Sequence, residues 1–164
     1  MNSKETGRIV TGLKPWNSSD EREAIVAAGL AGGVAYLATM AVDLHLTGRR
    51  VDDLLFLGRP LAKDRNRARV AGVGVHLVNS IVLAAIYARF GRARFRGPGW
   101  WRGILFANVE NAALYPLTVF EDHHPAVQAG EIDRYWSWPA FLLSIPRHIA
   151  YGAAAGAVYE RLRR

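Results

Sequence analysis

The sequence predicts an all-α membrane protein, built as an antiparallel bundle of four transmembrane helices. Its charges are segregated: Ala24–Val42, Val70–Ala88 and Gly103–Phe120 contain one formal charge between them, Glu110. Each of these stretches approaches the length of about 20 residues that a spanning helix needs, and Trp136–Tyr159 adds a fourth. The overall composition, 51% hydrophobic and 21% charged, also suits a soluble protein. A soluble four-helix bundle with an apolar core is therefore the alternative.

The chain divides into a short tail and one helical domain. Residues 1–20 are polar and include Gly7, Gly12 and Pro15, which predicts a flexible cytoplasmic tail. This tail lacks the apolar core of a signal peptide, so we expect the first span to act as the insertion signal. The domain covers residues 21–164, and its spans are predicted at about residues 22–46, 70–89, 101–120 and 136–160.

Two pairs of glycines mark close helix contacts. Gly29 and Gly33 in span one, and Gly152 and Gly156 in span four, have the spacing that lets helices approach closely in lipid. Either pair is a candidate homodimer interface. For the first pair, packing inside one subunit is the favoured interpretation.

The connection after span one contains VDDLLFLGRPLA, residues 51–62. Its apolar residues 54–57 lie beside Asp52, Asp53 and Arg59, which is typical of a short amphipathic segment. The segment is too short to cross a bilayer. We expect it to lie on the membrane surface.

The distribution of basic residues predicts the orientation in the membrane. Four spans put both termini and the connection 89–102 on one side, and that side holds most of the Lys and Arg residues. The positive-inside rule then predicts a multi-pass protein of the inner membrane with both termini in the cytoplasm. The net charge of +7 suggests nucleic acid at first sight. Because the basic residues flank apolar spans, anionic lipid headgroups are the expected partner and nucleic acid is not.

A weak internal repeat relates spans two and four. HLVNSIVLAAIYAR begins at His76 and HIAYGAAAGAVYER begins at His148, and each has a Tyr eleven residues after its His. Spans one and three align loosely through Gly29 and Gly103. This pattern predicts two parallel two-helix repeats as a possible organisation of the bundle.

The strongest candidate site lies at the predicted membrane midplane. At about 1.5 Å per residue, Glu110 in span three and Arg147 in span four lie at similar depths. An unpaired charge at that depth costs about 3 kcal/mol or more. We therefore expect Glu110 and Arg147 to pair, or to share a polar pocket with Asn108, Asn111 and His148. Such a group is either a buried ion pair that sets helix register or a ligand or proton site.

Further polar residues cluster near the predicted outer boundary. Metal sites use these residue types, but a polar helix end at the headgroups is the favoured interpretation, and we expect no metal. The members of this outer rim are His76, Asp122 and His124, with Asp43 and His45. Axial haem binding by His76 and His148 requires matched depths, and residue counting places His148 deeper than His76. We expect no cofactor.

Several of these segments carry a resemblance to a known group of proteins. They are GLAGGVAYLATMAVD, VDDLLFLGRPL, GVGVHLVNSIVLAAIYA, GILFANVENAALYPL, EDHHP and RHIAYGAAAGAVY. Over Ala24–Tyr159 the chain resembles small four-helix bacterial membrane proteins that are classed as domains of unknown function. The resemblance implies an integral membrane bundle of bacterial origin. It implies no reaction, cofactor or site residue.

The sequence leaves three functional classes open. The favoured hypothesis is a non-enzymatic structural or binding module with a polar midplane site. The second is a small transporter or proton-coupled carrier that acts as a dimer, and the third is a membrane enzyme that uses the outer Asp/His rim. The chain has no cysteine, which excludes thiolate chemistry and disulfides.

Overall fold

The computed structural model describes residues 19–164, and these residues are helical with no strand among them. The all-α class is therefore confirmed. The predicted tail lies outside the described residues, apart from Ser19 and Asp20, which begin the first helix. The α-helices are α1 (Ser19–Thr47), α2 (Asp53–Gly58), α3 (Arg65–Ile86), α4 (Arg92–Arg94), α5 (Gly99–Leu114), α6 (Pro125–Gln128) and α7 (Trp138–Leu162). A π-helical turn, Tyr87–Gly91, joins α3 to α4, and a 3-10 helix, Tyr115–His123, follows α5.

The four long helices pack in the order α3, α1, α7, α5. Helix α7 contacts both α1 and α5, and α1 also contacts α3. Helices α3 and α5 diverge along most of their lengths. They approach each other where the π-helical turn meets α5, with the Tyr87 and Phe106 rings 5.6 Å apart. A cleft therefore separates the remaining parts of α3 and α5.

Glycines bring α5 and α7 into backbone contact. A Cβ on Gly103 would overlap the carbonyl oxygen of Gly152, and a Cβ on Gly156 would overlap that of Gly99. The small-residue face predicted in span four is thus covered by α5 of the same chain. A dimer through Gly152 and Gly156 stays a prediction. Dispersion contacts between these backbones replace side-chain packing.

The glycine pair of α1 is also used inside the chain. A Cβ on Gly29 would lie 2.5 Å from the Cα of Ile81, and a Cβ on Gly33 would lie 2.8 Å from the Ser80 hydroxyl. Both neighbours belong to α3. This contact fits the favoured interpretation, packing inside one subunit. A dimer through Gly29 and Gly33 stays a prediction.

Polar contacts bring the start of α1, the start of α5 and the end of α7 to one end of the molecule, called here the terminal end. The Tyr159 hydroxyl donates to Glu21 at 3.0 Å, and Arg102 donates to Glu160 at 3.2 Å. This arrangement agrees with the predicted antiparallel order of the helices. The side of the membrane on which the terminal end lies stays a prediction.

At the opposite end, the short helices build a cap over the long ones. Leu55 of α2 is fully buried and belongs to a small core with Val51, Ala126, Ile132 and Tyr135. Part of the apolar face of α2 is thus covered by protein, and its place at the membrane surface stays a prediction. Helix α2 packs directly against α3, because Gly58 and Gly72 let the two backbones touch.

Two helix boundaries also differ from prediction. Helix α3 begins at Arg65, five residues before the predicted span, because Asp64 caps it by accepting a bond from the Arg67 amide at 2.9 Å. Helix α5 ends at Leu114, because Pro116 lacks an amide hydrogen and crowds the preceding turn. The chain continues there as the 3-10 helix.

Two helical stretches are long and apolar enough to cross a membrane, Ser19–Thr47 and Arg65–Arg94. Helix α5 has 16 residues, fewer than the roughly 20 residues that a spanning helix needs. Helix α7 has 25 residues, but Arg147, His148 and Glu160 reduce its hydropathy. The bundle of four spans stays a prediction.

Segments that align in the internal repeat meet at matching positions. The Tyr87 and Tyr159 rings pack edge to face, 6.0 Å apart. The His76 and His148 rings both contact Tyr36, at 4.8 and 5.2 Å. These contacts fit two related two-helix units, but the relation is incomplete, because α1 contacts α7 while α3 and α5 diverge.

Candidate functional site

The buried centre of the molecule is organised around Arg147, in the third turn of α7. Its side chain is 1% exposed. Its Nε and Nη2 atoms donate to the two carboxylate oxygens of Asp43, both at 2.6 Å. Its Nη1 atom donates to Asp53 at 2.9 Å. The guanidinium thus forms a two-point pair with one carboxylate and a single bond to the other, so each of its three nitrogens has a carboxylate partner.

Asp53 collects further donors at the same point. The Tyr36 hydroxyl donates to it at 2.6 Å and the Tyr135 hydroxyl at 2.7 Å. Burial, followed by the Asp53 charge, raises the pKa of Tyr135, so its phenol remains a donor. This cluster joins α1, α2, α7 and the segment before α7, which makes it the main polar connection between the long helices and the cap.

Asp53 reaches the centre because its neighbour Asp52 serves as the helix cap. Asp52 accepts from the Leu54 amide at 3.1 Å and binds Arg69 at 2.8 Å. Successive helical residues point in different directions, so Asp53 is free to face inward. Sequence reasoning missed this role of Asp53. The available signal was a second aspartate at a helix start, where one is enough for capping.

The predicted pair between Glu110 and Arg147 does not form. Arg147 binds Asp43 and Asp53 instead. The sequence placed Asp43 near the outer boundary and Asp53 in the connection after span one, so neither was predicted to contact Arg147. The Glu110 carboxylate instead lies opposite His148, with its Oε2 atom 3.8 Å from His148 Nε2. This Oε2 atom is buried and has no hydrogen-bond partner within the described part of the chain.

The hydrogen bonding of His148 leaves a second acceptor at this position. Its Nδ1 atom lies 2.7 Å from the Ser144 carbonyl oxygen, so Nδ1 carries the hydrogen. In neutral imidazole, the other nitrogen is then an acceptor. Nε2 of His148 and Oε2 of Glu110 therefore face each other as two acceptors with no donor between them.

Cavities lie on both sides of this pair. Each has a volume of about 170 Å³, and both are lined by Tyr36, Asp53, Glu110 and His148. The first lies toward the α3–α5 cleft, and the second toward the cap. The first is completed mainly by His76, Asn79, Ser80 and Tyr151, and the second by Asn111, Tyr115, Tyr135, Ser144 and Arg147.

The second cavity matches the alternative form of the midplane prediction, in which Glu110 and Arg147 share a polar pocket. Asn111 lines it and donates to Ser144 at 2.7 Å. Asn108 does not line either cavity, and its side chain donates to the Ile104 carbonyl at 3.0 Å. A role of the other four residues in binding stays a prediction.

The members of the outer rim do not form a common site. Asp122 binds Arg134 at 2.6 Å on the exposed surface. His124 donates from Nε2 to the Phe56 carbonyl at 2.7 Å, and its ring stacks on Phe56 at 4.2 Å. Burial lowers the pKa of His124, so the imidazole is favoured in its neutral form. His124 thereby joins α2 to the start of α6 within the cap.

The other members of the outer rim are also used separately. His76 lies 3.3 Å from the Gly33 carbonyl oxygen, Asp43 binds Arg147, and His45 is exposed. Residues 19–164 contain no group of three or more His, Asp or Glu side chains arranged to hold a metal ion.

The predicted difference in depth between His76 and His148 is wrong. Both rings contact Tyr36, so they lie at one level. The reason is the early start of α3 at Arg65. His76 is then about 16 Å from the start of α3, and His148 is about 15 Å from the start of α7.

Glu121 is a second residue that sequence reasoning missed. It is 5% exposed and accepts from the backbone amides of Tyr135 and Trp136, the latter at 3.2 Å. The Tyr115 hydroxyl donates to the Ser137 carbonyl at 2.6 Å in the same turn. These bonds fix the entry into α7 and hence the height of Arg147.

No protein-family model matches the sequence, and no curated protein or solved structure shows a significant similarity to it. The function of the protein is therefore inferred from its own geometry. The resemblance to small four-helix bacterial membrane proteins stays a prediction.

Proposed function

We propose that the chain is a non-enzymatic integral membrane module in which four helices span the bilayer and enclose a polar binding site. The first support is the exposed surface of α1 and α3. In the most apolar 18-residue stretch of each, 33% of the residues are buried in Ser19–Thr47 and 28% in Arg65–Arg94. A core helix of a soluble protein is mostly buried. Large exposed apolar surfaces mark interaction with lipid or another protein.

The exposed apolar side chains are spread along the whole height of the long helices. Such a distribution fits contact with acyl chains around a bundle, because a single protein partner would cover one face. Examples are Val34 at 60% exposure, Val42 at 57%, Val70 at 75%, Val78 at 64%, Val109 at 57% and Leu142 at 59%.

The lengths of α5 and α7 permit spanning despite their polar residues. Helix α5 continues into the 3-10 helix, so the helical stretch extends from Gly99 to His123. Helix α7 is about 37 Å long, which exceeds a hydrocarbon core of about 30 Å. The charge of Arg147 is neutralised by two carboxylates inside the bundle, which is the arrangement that an intramembrane charge requires.

The binding function depends on the two facing acceptors, Glu110 Oε2 and His148 Nε2. Two acceptors at 3.8 Å are bridged well by a group that offers two hydrogens, such as an ammonium or amine group. Glu110 lines both cavities and keeps 19% of its side-chain surface exposed, although Oε2 itself is buried, so a ligand would approach this pair from the cavities. The flanking cavities accommodate the rest of a small ligand.

Charge selects among these donors. With its carboxylates ionised, the centre contains Asp43, Asp53 and Glu110 against Arg147 alone. A site with surplus negative charge in a medium of low dielectric constant favours a cation. We therefore propose that the ligand carries an ammonium group.

A proton-coupled carrier is the second candidate. The observation that favours it is the same pair of acceptors, since Glu110 and His148 can share a proton in place of a ligand. Intramembrane carboxylates and histidines form the proton relays of transporters. The two candidates differ in whether an ammonium compound competes for Glu110.

The membrane topology is testable with single cysteines, since the natural chain has none. We expect Ala93→Cys, between α3 and α5, to be protected from a membrane-impermeant maleimide in intact cells. Lys63→Cys and Ala129→Cys, at the capped end, should react. All three positions are exposed in the structure. Reaction at all three positions in intact cells, or at none of them, would contradict the spanning bundle. Reaction at Ala93→Cys alone would contradict the predicted orientation.

The binding site is testable with dicyclohexylcarbodiimide, an apolar reagent that modifies protonated carboxyl groups in membranes. We expect peptide mass spectrometry to find the adduct on Glu110, formed by the protonated fraction of this carboxyl group when no ligand is bound. Asp43 and Asp53 should stay unmodified because Arg147 binds both. Ethylammonium should slow the modification, and tetraethylammonium, which has no N–H donor, should not. The Glu110→Gln variant is the control for the assignment.

Each outcome of the labelling assigns a role. Modification that ethylammonium slows supports an ammonium-binding module, and modification that it leaves unchanged supports the proton-coupled carrier. If Glu110 stays unmodified while the bundle is intact, the carboxylate is closed off. In that case the centre serves helix register alone.

A further inference from the structure

A second polar site lies at the terminal end, far from the Glu110 centre in sequence and in the fold. A cavity of about 180 Å³, called here the terminal pocket, opens among side chains from the α3–α5 connection and from the end of α7. Its lining residues are Arg92, Arg102, Tyr159, Glu160, Arg163 and Arg164. Basic side chains dominate this lining.

The carboxylates near the terminal pocket satisfy its arginines incompletely. Arg102 donates from Nη2 to Glu160 at 3.2 Å and from Nη1 to the Arg92 carbonyl at 3.2 Å. Arg163 is 3.9 Å from Glu21, beyond hydrogen-bond distance. The Nε atoms of Arg102 and Arg163 are buried and have no acceptor among the described residues.

Arg147 provides an internal comparison. All three of its guanidinium nitrogens bind carboxylate oxygens at 2.6–2.9 Å. Every guanidinium nitrogen of Arg147 therefore has a partner, whereas the Nε atoms of Arg102 and Arg163 have none among the described residues. A buried donor without an acceptor is costly, so its presence indicates a ligand that supplies the acceptor.

The Tyr159 ring completes the lining of the terminal pocket. Arg92 lies over the Tyr159 ring, 5.9 Å from its centroid, and its Nη1 atom is 3.4 Å from the Tyr159 hydroxyl. Arginine edges that surround one cavity match the oxygens of a phosphate group, which accepts two-point bonds. Exposed Trp100 lies on the neighbouring first turn of α5, as is usual at a membrane boundary.

We propose that the terminal pocket binds a phosphate group through Arg92, Arg102 and Arg163. The phosphate belongs either to an anionic lipid headgroup or to a soluble phosphate. This site is independent of the proposed Glu110 function, since no residue is shared between them. Phosphate binding there would join the α3–α5 connection to the end of α7.

The test uses the full chain in a neutral detergent with two probes. Inorganic phosphate is titrated against sodium chloride at equal ionic strength, and the midpoint of thermal unfolding is measured. Native mass spectrometry counts the retained molecules of phosphatidylglycerol and, as the uncharged comparison, phosphatidylcholine. We expect Arg102→Gln to weaken phosphate-group binding roughly tenfold.

Arg94→Gln is the matched control, because it removes the same charge from the same connection and Arg94 does not line the pocket. Arg163→Gln is the second variant, and it keeps the test open if Arg102→Gln fails to fold. Stabilisation by inorganic phosphate that only the pocket variants lose indicates a soluble phosphate. Selective retention of phosphatidylglycerol that only they lose indicates a lipid headgroup. If the pocket variants and Arg94→Gln respond alike to both probes, the proposal is wrong.

Discussion

Replacing Arg147 by Met is expected to destabilise the fold by about 3–5 kcal/mol, the cost of removing one partner from a buried ion pair. The substitution leaves Asp43 and Asp53 facing each other's charge in a buried site, with the Tyr36 and Tyr135 hydroxyls as the remaining donors. Methionine fills a similar volume, so the loss comes from charge and hydrogen bonding. The free energy of unfolding in detergent measures it.

The same experiment identifies the partners of Arg147. Adding Asp43→Asn to Arg147→Met should recover part of the lost stability, because it removes one of the uncompensated charges. Adding Glu110→Gln should recover none, since Glu110 does not bind Arg147. Arg134→Met is the control: its pair with Asp122 is exposed, so we expect a loss below about 1 kcal/mol. Rescue by Glu110→Gln alone would contradict the observed geometry.

Gly103→Leu is expected to have the second large effect, a loss of about 3 kcal/mol or more from overpacking. The obstacle is the Gly152 backbone carbonyl, which cannot rotate away as a side chain does. Helices α5 and α7 must therefore separate, which moves Glu110 away from His148. We expect both a lower unfolding midpoint and a changed rate of carbodiimide modification at Glu110.

Gly74→Ala is the matched control for this substitution. Gly74 lies in α3, and a Cβ there meets nothing within 4 Å. Alanine should raise stability by up to about 1 kcal/mol through its higher helix propensity. If Gly103→Leu proves as harmless as Gly74→Ala, the close backbone contact between α5 and α7 is wrong.

The glycine contacts show how far sequence pattern extends. The spacing of Gly29 with Gly33, and of Gly152 with Gly156, predicted close helix approach, and each pair does sit in such a contact. Spacing contains no information about which helix is approached. The helices that these pairs contact, α3 and α5, became known only from the packing.

The ion pairs of the polar centre could not be predicted from the sequence. Burial of a charged Arg147 required a partner, and the sequence indicated that much. The choice of Glu110 rested on counting depth along straight spans. The actual partners lie near the end of α1 and in α2, and α2 reaches the centre because Gly58 and Gly72 let it pack on α3.

The sequence by itself determined the helical class, the positions of the long helices to within a few residues, and the need to neutralise Arg147. These features follow from local composition, helix caps and the cost of a buried charge. Only the tertiary structure decided that Asp43 and Asp53 bind Arg147, that Glu110 faces His148 without a donor, and that arginines from α4, from α5 and from the end of α7 surround one pocket. Ion pairs depend on the distances between segments that are far apart in the sequence. A shift of four or five residues in where a helix begins moves its side chains by about one helical turn, roughly 5 Å along the axis.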